Sequence, residues 1–203
     1  MIMSKYQNLA CIACLNLKRT IAIDGQQPYY LEHDLHNFAT VTKQYKNCIV
    51  SLKTLKAIGK PLKGRFMYVI THDVNSQENC EALKSLGYDS TNSCMLKFDE
   101  MLGIIRNNED KQFICIGGGN LYSQFIGYTT KLYLTIVNDY MYGDIIFPPV
   151  RGEDWKLVNQ QMHTESDKVS KVLYEYAIIE LERQYKTWLD ALPWHFVFLK
   201  NLK

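Results

Sequence analysis

Burial disfavours the charged form of a carboxylate and raises its pKa, so an acid set among apolar side chains is a candidate for chemistry. Asp34 stands in such a run, IAIDGQQPYYLEHDLHNF (21–38), at the start of an amphipathic helix pattern with Leu31, Leu35 and Phe38 around it. An acid at the mouth of an apolar pocket pairs with a planar cationic or amidine-like ligand edge. The plain alternative is a helix N-cap, a position that favours Asp. Glu32, His33 and His36 lie nearby, but their spacing matches no metal-ligand pattern, so no metal is expected.

Three further runs carry chemical potential. In NCIVSLKTLKAIGKPLKGR (47–65) a strand enters a short helix at Ser51 to Thr54, where backbone N–H groups and Lys53 suit a phosphate. The same run ends at Arg65, whose planar fork suits a carboxylate; a surface salt bridge is the plain alternative. In ICIGGGNLYSQF (114–125) three consecutive glycines separate an apolar run from a helix-like one, which suggests close approach of a ligand to the backbone. No Gly-Lys-Ser/Thr follows, so this is not a P-loop, and Tyr122 stands where the third glycine of a dinucleotide fingerprint belongs. YGDIIFP (142–148) marks a turn.

The composition bounds the rest. The chain has 203 residues, 47% hydrophobic and 22% charged, which fits one globular domain. A net charge of +2 gives no basic field for nucleic acid. The six cysteines include a Cys11-x-x-Cys14 pair, but no second pair or Cys-His cluster answers it, and residues three apart in a strand face opposite ways. Free thiols and a reducing, cytoplasmic compartment are expected. Neither a signal peptide nor an apolar membrane span is expected. The apolar end, WLDALPWHFVFLKNLK, reads as a helix or strand packed on the body, with a dimer or membrane-surface contact as the alternative.

The elements that must position these residues follow from hydrophobic spacing. Strands are predicted at 9–15, 48–50, 66–71, 113–117, 131–137, 155–163 and 171–181. Helices are predicted at 34–45, 53–59, 79–86, 97–107 and 120–126. This alternation means an α/β fold with a largely parallel sheet and helices on both faces. The last two strands read as an antiparallel edge hairpin, which makes the sheet mixed.

In this order the motifs resemble the dihydrofolate reductase family. They are Pro28-Tyr29…Asp34-Leu35…Phe38, then Thr54…Ile58-Gly59…Pro61-Leu62…Gly64-Arg65, then Ile116-Gly117-Gly118-Gly119…Tyr122…Gln124-Phe125, then Leu132-Tyr133-Leu134-Thr135 and Gly143-Asp144…Phe147-Pro148. The resemblance spans roughly residues 9–183 and implies a domain over 1–183 with a C-terminal apolar extension over 184–203. It implies a single domain built on a central eight-stranded, mostly parallel mixed sheet, and reduction of dihydrofolate to tetrahydrofolate by hydride from NADPH. It assigns Asp34 to the 2-amino and N3 edge of the pterin, with Thr135 bracing it. It assigns Tyr122 to the nicotinamide, and makes Gly25 to Tyr29 a lid in which Tyr29 borders the catalytic centre. Ile12, Cys14, Leu35, Phe38, Ile58, Leu62 and Ile116 are implied to border the substrate, and Arg65 to clamp its α-carboxylate. The residues implied for the cofactor are Ala13, Ile21, Lys53, Thr54, Thr71, His72, Asn120, Leu121, Gln124 and the three glycines, with a cis peptide at Gly117–Gly118. A monomer or homodimer is implied.

Three positions depart from the family pattern. Tyr29 replaces the lid tryptophan, Ala22 replaces a glycine, and Ser51-Leu52 replaces the Gly-Arg or Gly-Lys before the phosphate helix. The last change removes a guanidinium from the cofactor's 2′-phosphate. Two other readings stay open: a same-fold pyrimidine reductase of riboflavin synthesis, and a folate- or nucleotide-binding relative without turnover.

Overall fold

The computed structural model describes residues 7–184. Its first strand shows how the sheet is built. β1 (Leu9–Asn16) sends Leu9, Cys11, Ala13 and Leu15 into one apolar cluster and Ala10 and Ile12 into another. Strand side chains alternate between faces, so a continuous apolar run is stable only where both faces are covered. β1 is followed by β2 (Thr20–Ala22), α1 (Glu32–Tyr45), β3 (Asn47–Ser51), α2 (Leu52–Ile58), β4 (Phe66–Ile70), α3 (Gln77–Ser85), β5 (Ser93–Leu96) and α4 (Phe98–Asn107). Then come β6 (Phe113–Gly117), α5 (Gly119–Phe125), β7 (Lys131–Val137), β8 (Ile145–Ile146), β9 (Trp155–Ser166) and β10 (Leu173–Arg183).

The main sheet has eight strands in the order β5-β4-β3-β6-β1-β7-β10-β9. All neighbours pair in parallel from β5 to β7; only the pairs made by β10 are antiparallel. The expected mixed α/β sheet is therefore present. One face is covered by α4 and α5 through Met101, Ile105, Leu121 and Phe125. The other is covered by α1, α2 and α3 through Val41, Leu55 and Leu83. A third cluster, Tyr29, Leu31, Val137 and Tyr176, joins the segment before α1 to the β7–β10 end of the sheet.

Several boundaries differ from the sequence expectation. β5 was not expected, because SCML is short and half-buried with no alternation to betray it. β2 and β8 form a separate two-stranded ribbon, also too short for periodicity to register. The edge hairpin is longer at one end and shifted at the other, covering 155–166 and 173–183. α1 begins two residues earlier than expected, with Leu31 at its N-cap, so Asp34 lies inside the first turn and is not the cap. The extension proposed for 184–203 lies, apart from Gln184, outside the described residues.

Candidate active site

In an open parallel sheet, ligands bind beyond the carboxyl ends of the strands, where the connections reverse direction. Here that point lies between β1 and β6. Their pairing runs from Leu9↔Phe113 to Cys11↔Cys115 and stops there. β6 then shifts register against β3 between Ile49 and Val50. Ile12 to Cys14, Ser51 to Thr54, Thr71 and Ile116 to Gly119 all lie at or just beyond these ends. Residues far apart in sequence are thus gathered along one edge by topology.

Asp34 is 7% exposed, on the first turn of α1. Burial pushes its carboxyl up to about 6; a hydrogen bond with Thr135 opposes the shift, and the negative charge of Glu165 adds to it. Thr135 is itself buried, on β7 opposite Cys14 of β1. The Cys14 thiol is pushed up by burial and then by Asp34 and Asp167. On the acid side of neutrality this buried carboxyl is poised between its acid and its anion.

The apolar wall is the cluster holding Ile12 and Ile116, against which Phe38, Ile58 and Leu62 pack half-buried. Leu35 is 39% exposed, at the rim. Arg65 Nη1 donates to Thr42 Oγ1 at 2.9 Å, while its buried Nε has no partner. Among the described residues no carboxylate pairs with Arg65, so the surface salt bridge that the sequence allowed is not what holds it. Burial lowers its pKa, with the Cys48 and Tyr88 groups opposing.

The glycine run forms the other wall. The Gly117–Gly118 peptide is cis. A Cβ on Gly119 would fall 2.3 Å from Ile145 Cγ2, with Ile21 Cδ1 at 3.8 Å, so only glycine lets α5 start this close to the β2–β8 ribbon. Thr54 lies against Gly117 and Gly118, and its hydroxyl meets Ser51 Oγ at 3.0 Å; Ser51 Oγ also accepts the Thr54 N–H and caps α2. Lys53 is exposed, its ammonium end lying against Gly25. Tyr122 is buried and donates from its hydroxyl to the Ile12 carbonyl at 2.6 Å, which ties α5 to β1 where β1 and β6 part.

The expected residues divide by position. Ala13 and Leu121 are buried and belong to the core cluster on the α4–α5 side of the sheet. Asn120 and Gln124 are exposed on α5. Thr71 shares its hydroxyl with Asp73 and Asn79 in the turn after β4, and His72 is exposed beside it. Tyr29 is fully buried; its hydroxyl donates to Asp139 Oδ2 at 2.5 Å and accepts from Asn16 Nδ2 at 2.9 Å, and none of its hydrogen bonds goes to Asp34. Among the described residues no group of three or more His, Cys, Asp or Glu is disposed to hold a metal, and no helix is long and apolar enough to cross a membrane. All six cysteines are free.

Sequence reasoning missed two polar tethers. One is the Tyr29–Asp139–Asn16 node. The other is Glu165, which meets His33 and Tyr176 across the start of α1. Both join segments more than a hundred residues apart, and no local pattern announces such pairs.

A family model described as "Dihydrofolate reductase" matches residues 8–183. The chain is 28% identical over 177 residues to a dihydrofolate reductase of Bacillus subtilis, covering 87% of this chain and 95% of that one. It is 29% identical over 177 residues to a type 3 dihydrofolate reductase of Salmonella typhimurium, covering 87% and 98%. Its fold is similar to that of a dihydrofolate reductase from Enterococcus faecalis solved with NADP(H) and RAB-propyl, with a TM-score of 0.67 at 21% identity, covering 87% of this chain and 96% of the other. With a match this long, and with every described strand of the sheet inside it, the chain belongs to the dihydrofolate reductase family.

Proposed function

We propose that this protein reduces 7,8-dihydrofolate to 5,6,7,8-tetrahydrofolate in the cytoplasm, at the expense of NADPH. The observation that carries the reading is Asp34, a buried carboxyl raised to about 6 that hydrogen-bonds Thr135 of β7. The cofactor is tested against the chain's own features. Gly119 has no room for a side chain, Ser51 and Thr54 present hydroxyls beside Gly118, and Lys53 carries an exposed ammonium next to the lid. These features fit a dinucleotide lying along the glycine ridge, held by Thr54, Lys53, Thr71, His72 and the backbone from Gly117 to Gly119. When bound, NADPH supplies the hydride.

Asp34 binds the 2-amino and N3 edge of the pterin. With its carboxyl raised to about 6, Asp34 holds a proton on the acid side of neutrality, and as the anion it favours the protonated state of the basic ring beside it. Thr135 fixes the carboxyl's orientation. Ile12, Ile116, Phe38, Ile58 and Leu62 exclude water and strengthen the electrostatics within. Arg65, with an unsatisfied buried Nε and no acidic partner among the described residues, takes the α-carboxylate of the substrate's glutamate. The Tyr122 hydroxyl holds the Ile12 carbonyl in place at the strand gap.

Dihydrofolate-dependent oxidation of NADPH, run beside antifolate binding, tests the proposal. Turnover with binding supports it. Binding without turnover would make the chain a non-catalytic relative, and neither would favour a pyrimidine substrate.

A further inference from the structure

We propose that Glu165 is a positioning residue for Asp34, reaching from the edge hairpin to cap the first turn of α1 and to set a negative charge beside the site. The inference rests on the reading of Asp34 as the proton-holding group. The helix that carries Asp34 begins at Leu31 in extended backbone, with no side-chain cap of its own. Helix N-termini leave their first N–H groups without intrahelical partners. Glu165 Oε1 accepts the His33 N–H at 3.3 Å, and Oε2 meets His33 Nδ1 at 2.8 Å. The Tyr176 hydroxyl donates to Glu165 Oε1 at 2.6 Å. A carboxylate at that end of a helix also complements the helix dipole.

The sheet register explains the placement. Thr135 opposes Ile178, Val137 opposes Tyr176, and Tyr174 opposes Glu165. Thr135, Tyr176 and Glu165 therefore project from the face on which α1 lies. Tyr176 is 1% exposed and stacks on His163 with ring centroids 5.2 Å apart; His163 in turn lies 4.5 Å from His33. Tyr176 and His33 hold the Glu165 carboxylate from two sides, with His163 packed between their rings. The Lys168–Glu32 ion pair flanks it outside.

The groups facing Asp34 are Thr135 from β7, Cys14 from β1, Tyr176 from β10, Tyr122 from α5 and Glu165 from β9. Glu165 is the acid among them. Burial pushes its own carboxyl up, but the hydrogen bonds from Tyr176 and His33 outweigh this and hold it below the ordinary value. It is ionised across neutral pH, and its charge disfavours the anion of Asp34.

Two substitutions separate the two roles. Glu165→Gln keeps an acceptor for Tyr176 and the His33 N–H and removes the charge; Glu165→Ala removes both. The Asp34 carboxyl is titrated by carbon NMR in the full-length protein, and amide exchange is measured at His33. Glu165→Gln is expected to lower the Asp34 midpoint by about half a unit. The alkaline limb of the catalytic pH profile should move with it, so that the rate above the midpoint falls about threefold. Glu165→Ala is expected to speed His33 exchange about tenfold, while Glu165→Gln leaves it near the parent value. An Asp34 midpoint unchanged in Glu165→Gln, or His33 exchange unchanged in Glu165→Ala, would overturn the assignment. The NMR titration needs no substrate, so it decides for or against Glu165 whether or not the parent reduces dihydrofolate.

Discussion

Replacing Asp34 with Asn is expected to stabilise the folded protein above about pH 6 while removing most of its turnover. The carboxyl titrates near 3.8 when exposed and at about 6 in the fold. The native state therefore binds the proton more tightly than the unfolded chain. Its stability contribution is complete below pH 3.8 and is lost as pH rises through about 6. Two units at 1.36 kcal/mol each make the ionised carboxyl a native-state penalty of about 3 kcal/mol at neutral pH. The Asn amide escapes the charge penalty but must still satisfy its own polar atoms beside Thr135. A net gain of about 2 kcal/mol is expected, or roughly 4–8 °C in Tm for a domain of this size. Turnover should fall about a hundredfold or more, the usual scale for a positioned acid–base group. The assay is thermal or urea unfolding of both proteins at several pH values. The stability difference should grow across the window from 3.8 to about 6 and then level off. A variant that is less stable at alkaline pH, or a gain that does not vary with pH, would refute the reasoning.

Arg65→Leu should raise KM for dihydrofolate by an amount worth about 1.5–3 kcal/mol with little change in kcat, and a pterin lacking the glutamate should be indifferent to it. Lys53→Ala should weaken NADPH relative to NADH by about 0.5–1 kcal/mol, read as the ratio of kcat/KM for the two cofactors. Gly143→Ala should destabilise by about 1–3 kcal/mol in urea unfolding, because its Cβ would fall 2.1 Å from the backbone oxygen of Ala22, which cannot swing aside. Tyr29→Phe should cost about 1–3 kcal/mol of stability by leaving Asn16 and Asp139 short of a partner, with a smaller effect on turnover than Asp34→Asn.

The parallel core was legible because its strands are apolar on both faces, so LACIACL, CIV, FMYVIT and FICIG stand out without any alternation. Asp34, Arg65 and the glycine run were legible as chemistry because each breaks a local rule: an acid among apolar residues, an arginine at a strand's entrance, three glycines at a helix start. The start of α1 was misplaced because Asp is so favoured at N-caps that it drew the boundary to itself. The cap is contributed instead by Glu165, 131 residues after Asp34 and visible only once the hairpin register is known. β5 escaped because four half-buried residues have no period. The partner of the Tyr29 hydroxyl, Asp139, depends on how a distant loop folds back.

In the proposed reduction of dihydrofolate, Asp34 is the proton-holding group. The most direct test is the pH dependence of kcat/KM for dihydrofolate at saturating NADPH, for the parent and for Asp34→Asn. Because kcat/KM for dihydrofolate reports the enzyme before that substrate binds, the parent rate should hold on the acid side and fall about tenfold per unit above a midpoint near 6. The Asn variant should be slow, with that limb gone. A parent profile that stays flat through the neutral range, or an Asn variant that keeps both the rate and the limb, would contradict the account.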